Sequence, residues 1–135
     1  MIFLLDDDKA HRSLIRRAVL KAGIEIPFLE AGSISEAKRI LFAEQKDKLP
    51  ALSLAVVDLN LGDGRGTEIV SLLRASDSYK HIRIIVLSTS QMEEDVTESR
   101  EAGADAYMTK ASDLLQFRKE IGEAVSNWLE NPRTE

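Results

Sequence analysis

The stretch "VVDLNLGDGRG", residues 56–66, sets an aspartate at the end of an aliphatic run and follows it at once with polar residues and three glycines. An apolar run with no polar face reads as a strand buried on both sides, the kind found in parallel sheets covered by helices. Working outward, similar short runs recur at IFLL (2–5), IPFL (26–29), LAVV (54–57), IRIIVL (82–87) and AYM (106–108), so five strands are expected. Helical spacing fills the intervals. Leu14, Ile15, Ala18, Val19 and Ala22 share one helix face that ends at Gly23, a left-handed cap. Ser33 and Glu36 have the spacing of a capping box, after which Ala37, Ile40 and Leu41 face inward. Ser90 and Glu93 repeat that spacing before a polar helix that ends at Ala102 and Gly103. A last helix, from about Ser112 to Glu130, carries Leu114, Phe117, Ile121, Val125 and Trp128 on one arc and is closed by Pro132.

Strict alternation of strands and helices predicts a doubly wound α/β fold around a five-stranded parallel sheet, with 2-1-3-4-5 as the expected strand order. Sites in such sheets lie at the carboxyl ends of the strands. Asp58 is therefore placed where this architecture carries function.

At 135 residues the chain suits one domain, expected over residues 1–130, with 131–135 as a loose tail. Its formal net charge of -5 argues against a nucleic-acid-binding surface, which needs clustered Lys and Arg to neutralise phosphates. The absence of cysteine removes disulfides and thiolate metal sites. The start, MIFLLDDDK, lacks a basic leader region and reaches three acids after four apolar residues, so it is neither a signal peptide nor a membrane span. A cytoplasmic protein with no membrane partner is expected.

Four strand ends carry groups suited to phosphate and metal chemistry. Strand 1 ends in Asp6, Asp7 and Asp8, strand 3 in Asp58, strand 4 in Ser88 and Thr89, and strand 5 in Thr109 and Lys110. With strand 1 beside strand 3, carboxylates of the first group approach Asp58. Like charges about 4 Å apart repel by roughly 4 kcal/mol at an effective dielectric near 20, so such a cluster protonates or recruits a cation. An all-oxygen ligand set favours a hard divalent ion such as magnesium, leaving Lys110 and Ser88 for phosphoryl oxygens. Taken singly, each residue has a plainer role: Asp8 as a helix N-cap, Asp58 as a turn residue, Lys110 as a solvated surface lysine. Their coincidence at separate strand ends carries the weight.

At this point the chain resembles the receiver domain of two-component response regulators, the flavodoxin-like domain of the chemotaxis-regulator type. The likeness runs through "IFLLDDDKAHRSLIRRAVLKAG", "AVVDLNLGDGRG", "IIVLSTS" and "GADAYMTKASDL" in order and spacing. The resemblance implies that Asp58 is the phosphoacceptor for a histidine kinase or phosphotransferase, that Asp7 binds magnesium, and that Asp6 assists coordination. It further implies that Asn60 lends its backbone carbonyl to the metal, that Ser88 and Lys110 contact phosphoryl oxygens, and that Tyr107 is the switch aromatic following Ser88. His11, Arg12 and Ile15 on the first helix are then the expected docking residues for the phosphoryl donor. Helix 4, strand 5 and helix 5, with Leu115 and Leu129, are the expected face for an effector or a second copy. The implied module signals through protein contacts and is not a multiple-turnover enzyme. With no DNA-binding or catalytic segment following it in the sequence, it is expected to stand alone.

Two departures from the family pattern stand out. Ala111 follows the strand 5 lysine where proline is usual, and Gly62 stands where many members have proline, which predicts a mobile loop. Rival readings are an aspartate-nucleophile phosphatase, an unphosphorylated interaction module and a flavin-binding flavodoxin. The first lacks its Asp-x-Asp-x-Thr motif after the first strand, and the last lacks a hydroxyl-rich phosphate loop there.

Overall fold

The structure, a computed structural model, describes residues 1–43, 50–110 and 113–133. Seven strands occur among them: β1 Ile2–Leu5, β2 Phe28–Ala31, β3 Leu54–Asp58, β4 Asn60–Leu61, β5 Gly64–Arg65, β6 Arg83–Ser88 and β7 Ala106–Thr109. Five of them form one parallel sheet in the order β2-β1-β3-β6-β7, while β4 and β5 pair as a small antiparallel hairpin. Counting the main sheet alone, the order is the expected 2-1-3-4-5. The helices are α1 Lys9–Lys21, α2 Ile34–Lys38, α3 Thr67–Ala75, α4 Glu93–Ala102 and α5 Leu114–Glu130, and α2 continues into a π-helical turn over Arg39–Ala43.

Strand side chains alternate between the two faces of a sheet, and the two cores follow that alternation. Ile2, Leu4, Leu54, Val56, Ile85 and Leu87 pack with Ile15 and Val19 of α1 and Phe117, Ile121 and Val125 of α5. Phe3, Leu5, Ala55, Val57, Ile84 and Val86 pack with Ala37 of α2 and Ile69, Val70 and Leu73 of α3. Every one of these strand residues is at most 1% exposed, which explains why the central strands read as unbroken apolar runs.

Helix boundaries depend on local chemistry. Asp8 caps α1, its Oδ1 accepting from the amides of Ala10 (2.8 Å) and His11 (3.4 Å), and Gly23 takes φ +88° just beyond the helix. Ser33 caps α2 by accepting from the Glu36 amide, but the Glu36 carboxylate reaches back to the Gly32 amide (2.7 Å), one residue beyond the Ser33 amide that a reciprocal box uses. The expected box at Ser90 and Glu93 does not form. Met92 is the N-cap residue of α4, and Ser90 Oγ instead accepts from the Met92 amide and donates to Asp95. β2 lies two residues later than expected, at the edge of the sheet, where Glu30 is accommodated by ion pairs to Arg12 and Arg16. Leu114 is 59% exposed and not in the α5 stripe, since it stands in the helix's first turn, before the buried Phe117. Ser112 and Ala111 lie outside the described residues.

At the amino end of the sheet Asp105 accepts from Arg74 (2.7 Å), Arg83 (2.9 Å), Arg133 (3.4 Å) and the Ile84 amide (2.8 Å). Arg83 also donates to the Asn131 carbonyl and lies 4.7 Å over the Trp128 ring, which ties residues 131 and 133 to the sheet. This end is a structural anchor, leaving the opposite edge for chemistry. Among the described residues no helix is long and apolar enough to cross a membrane.

Candidate functional site

The carboxyl edge of the sheet gathers the residues singled out in the sequence. Asp6 continues β1, with its amide bonded to Ala31, and is 1% exposed; Asp58 closes β3 and is 7% exposed. Oxygens of Asp6, Asp7 and Asp58 lie within 4.8 Å of one another, with Asp7 exposed at the mouth. Lys110 follows β7, and its amide donates to the Ser88 carbonyl at 2.7 Å. Its ammonium reaches back across the edge to Asp6 Oδ2 (3.1 Å) and Asp58 Oδ2 (3.3 Å). By strand alternation Asp6, Asp58 and Lys110 project to the α1/α5 side, whereas Ser88 and Tyr107 project to the α2/α3 side.

Two buried carboxylates around one ammonium, with a third carboxylate at the entrance, leave the pocket short of positive charge. Burial pushes the Asp58 carboxyl above the ordinary aspartate range; Lys110 pulls it back and the Asp6 carboxylate adds to the rise. An all-oxygen cluster with this charge deficit fits a hard divalent cation, and Asp6, Asp7 and Asp58 are the residues that could hold it.

The raised Asp58 value carries a stability sign for the metal-free protein. Folding takes up a proton at Asp58 between the ordinary carboxylate value and the raised one, so this contribution is largest below that window and falls as pH rises through it. Asp58→Asn removes the titration. Thermal melts in EDTA are expected to show the variant gaining on the wild type as pH rises from about 4 to 7; an offset that stays constant with pH would contradict the raised value.

The remaining expected residues fall into distinct environments. Asn60 is exposed on β4; its amide approaches Asp58 Oδ1 at 3.4 Å, and its side-chain oxygen accepts from Arg65. Ser88, 1% exposed, accepts from the Ser90 amide at 3.0 Å, and the Tyr107 hydroxyl donates to the Ser90 carbonyl at 2.7 Å. His11 stands at the pocket wall, its Nδ1 3.4 Å from the Lys110 ammonium and 3.8 Å from Asp6. Arg12 turns inward to Glu30 and the Asp6 carbonyl and is only 14% exposed. Ile15 cannot serve as a docking residue: it is fully buried, because it shares the α1 stripe with Val19. Leu115 is 74% exposed, whereas Leu129 packs against the α1/α5 core.

Several residues of this edge were not legible in the sequence. Asp63, at the hairpin tip, accepts from the Ile34 (2.8 Å) and Ser35 (3.0 Å) amides and so caps α2. Arg65 pairs with Asp95 (2.7 Å) and Glu98 (2.9 Å) of α4. The segment expected to be a mobile loop is thus a hairpin fastened to a helix on each side. Its charged residues provide the fastening, and they were outweighed in the sequence by the glycines between them. Gly66 has a separate reason: a Cβ there would lie 2.1 Å from the Asp58 carbonyl oxygen.

Comparison with known proteins follows the same lines. Residues 2–122 match the family model described as response regulator receiver domain. Response regulator Rcp1 of Synechocystis is 30% identical over 135 residues, covering 96% of this chain and 89% of that protein. The Mn(2+)-bound form of Rcp1 superposes with a TM-score of 0.85 at 28% identity, over 96% of this chain and 94% of the other. The phosphorylated cyanobacterial phytochrome response regulator RcpA superposes with a TM-score of 0.83 at 29% identity, over 95% and 92%. By sequence and fold alike, the chain belongs to the response regulator receiver domain family, signalling modules that interact with histidine kinases or phosphotransferases.

Proposed function

We propose that Asp58 is the residue on which this receiver domain accepts a phosphoryl group from the phosphohistidine of a sensor kinase or phosphotransferase. The observation that supports it most is the placement of the Asp58 carboxylate at the end of the central strand, shared between the Lys110 ammonium and an acidic cluster. A carboxylate oxygen forms the new P–O bond as the P–N bond to the donor histidine breaks, and the departing imidazole keeps the bonding pair and its proton. The nucleophile is a carboxylate and requires no general base, so positioning and charge neutralisation carry the catalysis.

Asp6, Asp7, Asp58 and the Asn60 carbonyl would hold magnesium, which fits their hard oxygen donors. When bound, the ion neutralises charge between the carboxylates and the incoming phosphoryl oxygens. Lys110, already against Asp58, balances charge on the other side, and the Ser88 hydroxyl, which accepts from the Ser90 amide, keeps its own proton to donate to a further phosphoryl oxygen as it moves toward it. Tyr107, bonded to the Ser90 carbonyl, follows that movement. The donor docks over His11 at the pocket wall, and the response is read as a protein contact, with an effector or a second copy, along α4, β7 and α5. The chain acts as a cytoplasmic signalling module, and its only chemistry is on its own aspartate.

Incubation with acetyl phosphate and magnesium is expected to give one acid-stable, hydroxylamine-labile phosphoryl group, and EDTA to abolish it. Label that forms equally in EDTA, or that resists hydroxylamine, would exclude an acyl phosphate in this pocket.

A further inference from the structure

The β4–β5 hairpin follows Asp58 almost at once, and its pairing decides which way the Asn60 backbone faces. Antiparallel strands alternate between residue pairs that bond to each other and pairs that do not. The Gly66 amide donates to the Leu59 carbonyl (2.7 Å), and Asn60 stands opposite Arg65 one step along, so Asn60 and Arg65 form a pair of the second kind. The N–H and C=O of Asn60 are therefore both directed away from β5. The N–H approaches Asp58 Oδ1 at 3.4 Å, which puts the carbonyl on the side of the acidic cluster. At the tip, Gly64 takes φ +153°, a conformation that residues with side chains rarely adopt. Its neighbour Asp63 spans the Ile34 (2.8 Å) and Ser35 (3.0 Å) amides at the start of α2, across 29 and 28 residues of sequence.

We propose that Asp63 is a positioning residue for the divalent cation: by clamping the hairpin tip to α2 it holds the Asn60 carbonyl toward the acidic cluster and so raises the pocket's affinity for the metal. The inference rests on Asp6, Asp7 and Asp58 holding that cation together with the Asn60 carbonyl. A carboxylate ligand can be aimed by its own rotamer, whereas a backbone carbonyl is aimed only by fixing the chain on both sides of it. Before Asn60 the chain is fixed by the central sheet, since the Leu59 amide donates to the Leu87 carbonyl (2.9 Å). After Asn60 it enters the turn, and Asp63 ties that turn to a helix. Without the clamp the carbonyl samples other directions, and the apparent affinity falls by the fraction of molecules in which it is in place. Asp63 is not one of the three clustered acids, so its effect on the metal passes through the hairpin, as it does for outer groups that orient a ligand.

The test titrates the full chain with Mn2+ and reads the free ion by electron paramagnetic resonance, with urea denaturation in EDTA as a separate measure of stability. Asp63→Ala is expected to weaken Mn2+ binding about 10-fold, and Asp63→Asn, which keeps one acceptor oxygen, to fall between it and wild type. Ser33→Ala is the control for α2 itself: it removes the hydroxyl that accepts from the Glu36 amide and leaves the hairpin alone. That variant is expected to lose stability while its Mn2+ affinity stays within about 2-fold of wild type. Unchanged binding by Asp63→Ala, or equal weakening by Ser33→Ala, would overturn the clamp and leave Asp63 as a helix cap only. If Asp63→Ala does not fold, Asp63→Asn carries the same expectation of weaker binding and the same refutation. Wild type that binds no Mn2+ would instead overturn the metal site on which the clamp depends.

Discussion

Asp58→Asn is expected to reduce phosphoryl labelling by acetyl phosphate at least about 1,000-fold while the protein stays folded, because removing a nucleophile eliminates the step it performs. The amide is isosteric with the carboxylate and a poor nucleophile. Lys110 retains its 3.1 Å contact to Asp6, so the pocket keeps one of its two carboxylate-to-lysine links. The neighbouring acids are poor substitutes for different reasons. Asp6 is more deeply buried than the acceptor, 1% exposed against 7% for Asp58, and Asp8 is committed to capping α1. Asp7 is the exposed alternative. Labelling followed by mass spectrometry of the modified peptide checks the assignment; equal labelling of variant and wild type would move the acceptor to Asp7.

Gly66→Ala is expected to destabilise the fold by about 3 kcal/mol or more, the range of severe overpacking against atoms that cannot give way. Gly66 has φ −60° and ψ −24°, which any residue adopts, so backbone freedom is not the reason for glycine here. Space is. The added methyl would lie 2.1 Å from the Asp58 carbonyl oxygen and 2.8 Å from Val57 Cγ1, both fixed by the central strand. The collision pushes on the very residue that must be positioned for phosphoryl attack. Labelling should therefore slow in whatever fraction folds, since displacements of about 1 Å can lower rates about 100-fold. Gly62→Ala is the control, for a Cβ there meets nothing within 4 Å. Urea denaturation of the two variants distinguishes the cases, and equal stabilities would disprove the steric account.

What could be read in the sequence was what depends on local periodicity. The run Ile2–Leu5 is a strand at its expected bounds, and the central run places Asp58 at its last residue. Asp6, Asp58 and Lys110 could be brought together because parallel topology aligns carboxyl ends whatever the loops do. What escaped depends on long-range partners. Arg65 meets Asp95 and Glu98 across 30 and 33 residues, and no spacing rule announces such a meeting. Ser90 has the pattern of a helix cap, yet its hydroxyl is drawn to Asp95, so α4 begins at Glu93. Ile15 was legible as a core residue from its stripe and was misplaced only when the family resemblance was extended to docking. Edge strand β2 was displaced in the reading because Glu30, a charge inside it, is stabilised by arginines from α1.

The alternation of side chains along the sheet has one more consequence. Asp6, Asp58 and Lys110 belong to the layer of α1 and α5, whereas Ser88 and Tyr107 belong to the layer of α2 and α3. The sheet is thus a partition, and its carboxyl rim is the place where the two compartments meet. The acidic groups of the pocket stand in one compartment, and the Ser88 and Tyr107 hydroxyls sit in the other. The two halves of the pocket thus rest on different cores, so a substitution packed under α1 and α5 bears directly on the acids and reaches the hydroxyls only through the rim.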